Sequence, residues 1–240
     1  MKVKAVKTKP VRHDTELQNV IDQISDFKEG DILAITSKII SVMQGRMVKA
    51  SDVDKAALIR QEADCYMLED QYGVMLTIIN NILIPTAGID ASNAEGHYIL
   101  YPENIFQVAE DIRQRLMKKF HVKHCGVIIT DSRSAIMRRG VTGFALAWSG
   151  FKALRSYVGE KDVFGKPLEF THVNIPDALS AAAVYEMGEG AECTPMAVIS
   201  DAKDIPYSDA PVSAQERDFF ILRMEDDIYA PLLMAADWTS

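Results

Sequence analysis

VMLTIINNILIP (74–85) reads as two short strands, VMLTII and ILIP, joined at Asn80-Asn81, a pair that tolerates the positive φ of a tight hairpin turn. The text that follows has a different period. Over 104–120 the apolar residues Ile105, Val108, Ala109, Ile112 and Leu116 fall on one face of a helix, with Arg113, Lys118 and Lys119 expected at its outer face or C-terminal end. The apolar run GVIIT (126–130) then reads as a strand. A helix over 176–187, opened by Pro176 and closed by Gly188, leads to a strand at 196–200. An early hairpin combined with later strand-helix-strand pieces fits a strictly doubly wound sheet poorly. The order predicts an α+β fold: mixed and antiparallel sheets, flanking helices and a long hairpin, in two closely packed lobes.

Outward from this segment, 31–36 reads as a buried strand, and Asp54 to Cys65 as a helix with Ala57, Leu58 and Ile59 near its buried face. A glycine-punctuated stretch runs to about Gly165, followed by a strand near 168–173. No repeat or low-complexity block divides the chain, so 1–240 is expected to be one domain with a core over about 3–200. The tail from about 201 to 240 is expected to pack as an irregular or helical extension. A composition of 48% hydrophobic and 25% charged residues excludes disorder and fibrous classes. The net charge of −8 argues against a nucleic-acid partner, which needs a basic surface. Cys65, Cys125 and Cys193 are too few and too far apart for a disulfide framework, and they predict buried thiols in a cytoplasmic protein. A signal peptide or membrane span is not expected.

Three acids stand in glycine-containing or strand-end contexts: Asp90 in GIDASN, Asp131 in IITDS and Glu189 in MGEG. Hard divalent cations take oxygen ligands and bridge phosphate oxygens, so carboxylates converging from separate loops suit a metal clamp, with the Ser132 hydroxyl beside them. Each acid alone reads more often as a turn former or helix cap than as a ligand. Standard phosphate loops are absent, yet the small residues from Met187 to Pro195 permit close backbone approach to phosphates. Lys38, Arg138 and Arg139 are the basic residues best placed to hold carboxylate or phosphate. The five histidines lack metal-ligand spacing, and Trp148 and Trp238 read as packing anchors.

Six motifs together carry a family resemblance: GDILAITSKIISVMQGR (30–46), PTAGIDASN (85–93), GVIITDS (126–132), RRGVTGFALAWSGF (138–151), GEKDVFGKPL (159–168) and MGEG (187–190). In order and approximate spacing the chain resembles coenzyme F(420)-0:gamma-glutamyl ligases over about residues 3–200. The resemblance implies GTP-dependent addition of L-glutamate to a carboxylated cofactor by an intertwined homodimer of α+β subunits. It implies Mg²⁺ or Mn²⁺, with potassium as a further ion, and metal ligation by Asp90, Asp131, Ser132 and Glu189. It also implies nucleotide contacts from Lys7, Thr8, Lys9, Pro10, Ser37, Lys38, Asn93, Met187, Gly188, Gly190, Ala191, Glu192, Cys193 and Thr194. Arg138 and Arg139 are candidates for the glutamate carboxylates.

The chain departs from the family pattern at Thr8-Lys9-Pro10, where Gly-hydrophobic-Pro is common, at Val42, where lysine is common, and in AECTP (191–195). TDSRS, RRGVTGF and AECTP look closer to the branch proposed to glutamylate folates, which makes a folate the leading acceptor and F(420)-0 the other. The same carboxylates would also serve a metal-dependent phosphohydrolase or a silent nucleotide-binding module.

Overall fold

The computed structural model describes residues 1–68 and 72–239. In chain order the strands are β1 (Lys2–Val6), β2 (Ile32–Thr36), β3 (Met47–Lys49), β4 (Cys65–Tyr66), β5 (Leu76–Ile79), β6 (Ile82–Pro85), β7 (His97–Ile99), β8 (Gly126–Ser134), β9 (Val141–Ser149), β10 (Leu154–Ser156), β11 (His172–Asn174) and β12 (Met196–Ser200). The helices are α1 (Leu17–Ile21), α2 (Ser37–Met43), α3 (Lys55–Glu62), α4 (Ile105–Phe120), α5 (Ile175–Met187), α6 (Ala214–Phe220) and α7 (Ala230–Leu233). The fold is α+β.

Its centre is a five-stranded mixed sheet in the order β1-β12-β2-β8-β9, in which only β2 and β8 run parallel. Alternation sorts the strand residues to two faces. Leu33, Ile35, Val127, Ile129, Met196 and Val198 join the α4 residues Ala109, Ile112 and Leu116 in one apolar cluster. Ile32, Ala34, Ile128, Ala197 and Ile199 join Ile175, Leu179 and Ala183 of α5 in another. Covering both faces explains why ILAIT and GVIIT are continuous apolar runs rather than alternating ones. At about 1.5–3 kcal/mol for each large aliphatic buried, these strands dominate the stability.

α5 begins where Asn174 Oδ1 accepts the Asp177 N–H at 3.0 Å and Pro176 occupies the first turn, and it ends at Gly188 with φ 78°. The Asn80-Asn81 turn is as read, with φ of 52° and 59°. That hairpin is only four residues a side; the long one is β8–β9, nine a side. The glycine-punctuated reading of 131–165 missed β9 because Phe144 and Leu146 pack on one face and Ala145 and Trp148 on the other, which erases the period-2 signal.

Four further expectations are corrected. Ala57 is exposed, because α3 turns Leu58 and Ile59 inward. Arg113 is 1% exposed rather than on the outer face; Glu110 accepts two of its N–H groups at 2.9 Å, Asp209 O accepts another, and Ser149 bonds the same carboxylate. Of the thiols only Cys125 is buried; Cys65 is half-buried and Cys193 exposed. The strand expected near 168–173 is β11, since 159–168 is occupied by a turn knotted on Asp162 Oδ1, which accepts the N–H groups of Phe164 and Lys166.

Residues 201–239 form a strap. Tyr207 pairs with Phe151, Phe220 packs edge-on against Trp148 at 4.7 Å, and Thr239 bridges to Tyr66 beside the β4-β5-β6 sheet. Trp238 is half-buried, donating its indole N–H to Leu233 O. Among the described residues no helix is long and apolar enough to cross a membrane.

Candidate active site

The parallel pairing of β2 with β8 ends with Thr36 opposite Thr130. Lys38, in the first turn of α2, and Asp131, the β8 residue after Thr130, therefore both line the crevice where the parallel pairing stops, the kind of place where open sheets with parallel strands bind ligands. The rest of the pocket comes from the turn carrying Asp90 and Asn93, the loop after α5, and the N-terminal segment from Thr8 to Val11. Its volume is about 440 Å³. Thr8 N–H bonds Cys193 O at 2.8 Å, which lays the N-terminal segment along the loop. Asn93 Nδ2 donates to Gly190 O at 3.0 Å, Glu192 Oε2 accepts the Gly190 N–H at 2.8 Å, and Thr194 Oγ1 donates to Met187 O. The loop is thus fixed from both the outside and the inside.

Asp90 is held by Lys38 Nζ at 2.5 Å and accepts the Ser92 N–H at 2.6 Å; Lys38 also donates to Ser92 Oγ at 2.9 Å. Burial alone would raise the Asp90 pKa, but these donors outweigh it and hold the carboxyl below its ordinary value. Asp131 has the opposite balance. Burial pushes it up to about 6, and neither the Ser132 N–H at 2.8 Å nor Lys38 offsets that desolvation and the like charge of Asp90. Glu189 is exposed, and its Oε2 accepts the Ser132 hydroxyl at 3.3 Å.

Most sequence-derived candidates meet here. Thr8, Lys9, Pro10, Lys38, Asp90, Asn93, Asp131, Ser132, Met187, Gly188, Glu189, Gly190, Ala191, Glu192, Cys193 and Thr194 all line the pocket. Lys7, Ser37, Arg138 and Arg139 do not. Lys7, just past β1, is exposed next to the buried Thr8, and Ser37 is buried at the start of α2. β8 continues past Asp131 to Ser134, carrying the arginine pair to the exposed hairpin turn outside the pocket. Sequence reasoning missed Ser92, Thr36, Thr130 and Glu95. Ser92 was findable, since Asp two residues before Ser is the pattern of a side-chain-capped turn.

Among the described residues no three acids, histidines or cysteines stand close enough to hold one ion. Lys38, rather than a neighbouring carboxylate, balances Asp90. The donor set nevertheless fits a hard divalent cation: it is all oxygen, and Asp131 is a desolvated acid beside a second acid, the situation a cation relieves. A larger cavity of about 810 Å³ lies between the start of α4, the β5–β6 hairpin and the strap. It contains none of the candidates, and Glu62, Glu103 and Glu110 in its wall are paired with Arg46 or Arg113.

Fold and pocket together define a class: an α+β protein that sets carboxylates, lysines and a glycine-containing loop around a crevice where two parallel strands part. The family model described as F(420)-0:gamma-glutamyl ligase matches residues 5–201. The chain belongs to that family. It is 32% identical over 207 residues to a coenzyme F(420):L-glutamate ligase of Archaeoglobus fulgidus, covering 79% of this chain and 82% of the relative. A protein of the same name from Methanocaldococcus jannaschii is 28% identical, with 92% and 93% covered. One from Haloarcula marismortui is 31% identical, with 84% and 87% covered.

Proposed function

We propose that the protein is a cytoplasmic, GTP-dependent ligase that joins L-glutamate through an amide bond to a carboxylate of a folate or of the F(420)-0 precursor. The observation that carries this reading is the single crevice shared by Asp90, Asp131, Ser132, Glu189, Lys38 and the Met187–Pro195 loop. The relatives' names supply L-glutamate and coenzyme F(420). TDSRS, RRGVTGF and AECTP supply the folate alternative.

A carboxylate is a poor electrophile toward amines. The acceptor carboxylate oxygen first attacks the γ-phosphorus, GDP leaves, and an acyl phosphate results. The glutamate nitrogen then attacks the acyl carbon, losing a proton, and inorganic phosphate departs with the acyl oxygen. Both steps gather negative charge on phosphoryl oxygens, and positioning plus electrostatic stabilisation is what a protein contributes. Lys38 brings a cation to the phosphate end, and the backbone N–H groups of the loop approach the phosphates where side chains are smallest. Asp90, Asp131, Glu189 and Ser132 would hold Mg²⁺ or Mn²⁺, which supplies charge neutralisation on the phosphoryl oxygens. Thr8 to Pro10 would border the nucleotide.

The test is phosphate release from GTP with Mn²⁺ and glutamate, with mass spectrometry of products from folate and F(420)-0 acceptors. Release that requires both acceptor and glutamate, with a product heavier by one glutamyl unit, supports ligation. Release without either would instead mark a phosphohydrolase.

A further inference from the structure

Glu192 lines the crevice together with Gly188 and Gly190, and its Oε2 accepts the Gly190 N–H at 2.8 Å. The two glycines make room for this. A Cβ on Gly188 would fall 2.7 Å from Glu192 Cδ, and one on Gly190 would fall 3.3 Å from each carboxylate oxygen. The side chain therefore lies folded back across the part of the loop where side chains are smallest, with an anionic oxygen on a backbone N–H.

The loop does not depend on this contact. Thr8 N–H on Cys193 O, Asn93 Nδ2 on Gly190 O and the Thr194 hydroxyl on Met187 O hold the backbone without Glu192. Nor is the carboxylate balanced by a cation: Glu192 forms no salt bridge among the described residues, and Lys38 in the same crevice pairs with Asp90. An unpaired acid in a loop suited to phosphates works against anion binding. Its charge repels an incoming phosphate, and the one hydrogen on the Gly190 nitrogen is already accepted.

We propose that Glu192 is a built-in competitor for phosphate: its carboxylate occupies the Gly190 N–H when no nucleotide is bound and must swing out before a phosphate oxygen takes that N–H. This rests on reading the crevice as a nucleotide site. An acid placed against a ligand's charge lowers affinity for every anion whose remaining contacts do not outweigh the displacement. Hydrogen bonds to charged acceptors are strong enough for that displacement to shift an equilibrium about tenfold or more.

The experiment is calorimetric titration of full-length wild type, Glu192→Gln and Glu192→Ala with GDP in the presence of Mn²⁺, with melting temperatures measured alongside. Glu192→Ala frees the N–H and removes the charge, and is expected to bind GDP about tenfold tighter. Glu192→Gln keeps an acceptor of similar length but no charge, and is expected to fall between; it decides the matter should the alanine variant unfold. Unchanged GDP affinity in the folded variants would overturn the proposal and leave the nucleotide site standing. Weaker binding would also overturn it, marking Glu192 as a direct contact to nucleotide or metal. Failure of all three proteins, wild type included, to bind GDP would remove the nucleotide reading and the proposal with it.

Discussion

Among single residues, Asp131 makes the sharpest prediction, because its charged form is disfavoured in the folded protein. Its pKa rises from an ordinary 3.8 to about 6, so its contribution to stability is fully present below the unfolded value and lost as pH rises through the folded one. The shift corresponds to on the order of 3 kcal/mol. Asp131→Asn should therefore melt higher than metal-free wild type at pH 8. The gap should close between about pH 6 and pH 4, while ligase activity is abolished at every pH. Equal melting temperatures at pH 8 would contradict the burial argument. The acids were legible in the sequence because Asp90 and Glu189 stand in glycine-containing stretches and Asp131 directly follows the apolar run GVIIT. Their individual balances were not, since whether Lys38 faces Asp90 or Asp131 is decided by a turn 50 residues away from the lysine. Arg138 and Arg139 lie outside the pocket because the strand continues past Asp131, which nothing in TDSRS signals.

For the elements, the critical contact is α5 against β9. Gly143 pairs with Ser132 across the long hairpin, and a Cβ there would fall 2.4 Å from Ser180 O and 2.6 Å from Val184 Cγ2. Gly143→Ala must push α5 off the sheet, at about 1–3 kcal/mol of overpacking, and α5 carries Glu189 just beyond its end. We expect a lower melting temperature together with a disproportionate loss of activity; a variant that melts lower yet turns over normally would show that α5 does not set the pocket. On the opposite face, α4 is tied to β9 by the buried Arg113, Glu110 and Ser149 group. Despite burial, hydrogen bonds from Arg113, Gln114 and Ser149 hold the Glu110 carboxyl below its ordinary value. Its stabilisation is present above the unfolded pKa and fades as pH falls through the folded one. Glu110→Gln should cost about 3–5 kcal/mol at pH 7 and less in acid, as chemical denaturation would read. The helix and the central strands were readable from apolar periodicity. Arg113 was not, because an arginine at a helix position next to Ile112 looks solvated until its carboxylate partner on the same face is seen to be buried too.

At the level of the whole molecule, the turn knotted on Asp162 presents Val163 and Phe164, 92% and 93% exposed, and Phe170 is 85% exposed. Water-facing apolar residues of this kind suit a protein partner, and we propose that the partner is a second copy of this chain. Phe164→Glu should shift a sedimenting dimer toward monomer without lowering the content of secondary structure; a monomeric wild type would contradict this. The α+β class was legible because the early hairpin and the later strand-helix-strand pieces cannot share a doubly wound sheet. The path of the strap was not, since its anchors, Tyr207 on Gly30 and Thr239 on Tyr66, join residues more than a hundred positions apart. The proposed function requires that one crevice couple nucleotide cleavage to amide formation. Its most direct measurement is phosphate release from GTP with Mn²⁺, with glutamate and each acceptor added singly and together. Release in step with glutamylated product is expected only when both are present, whereas release from GTP and Mn²⁺ alone, without product, would contradict that coupling.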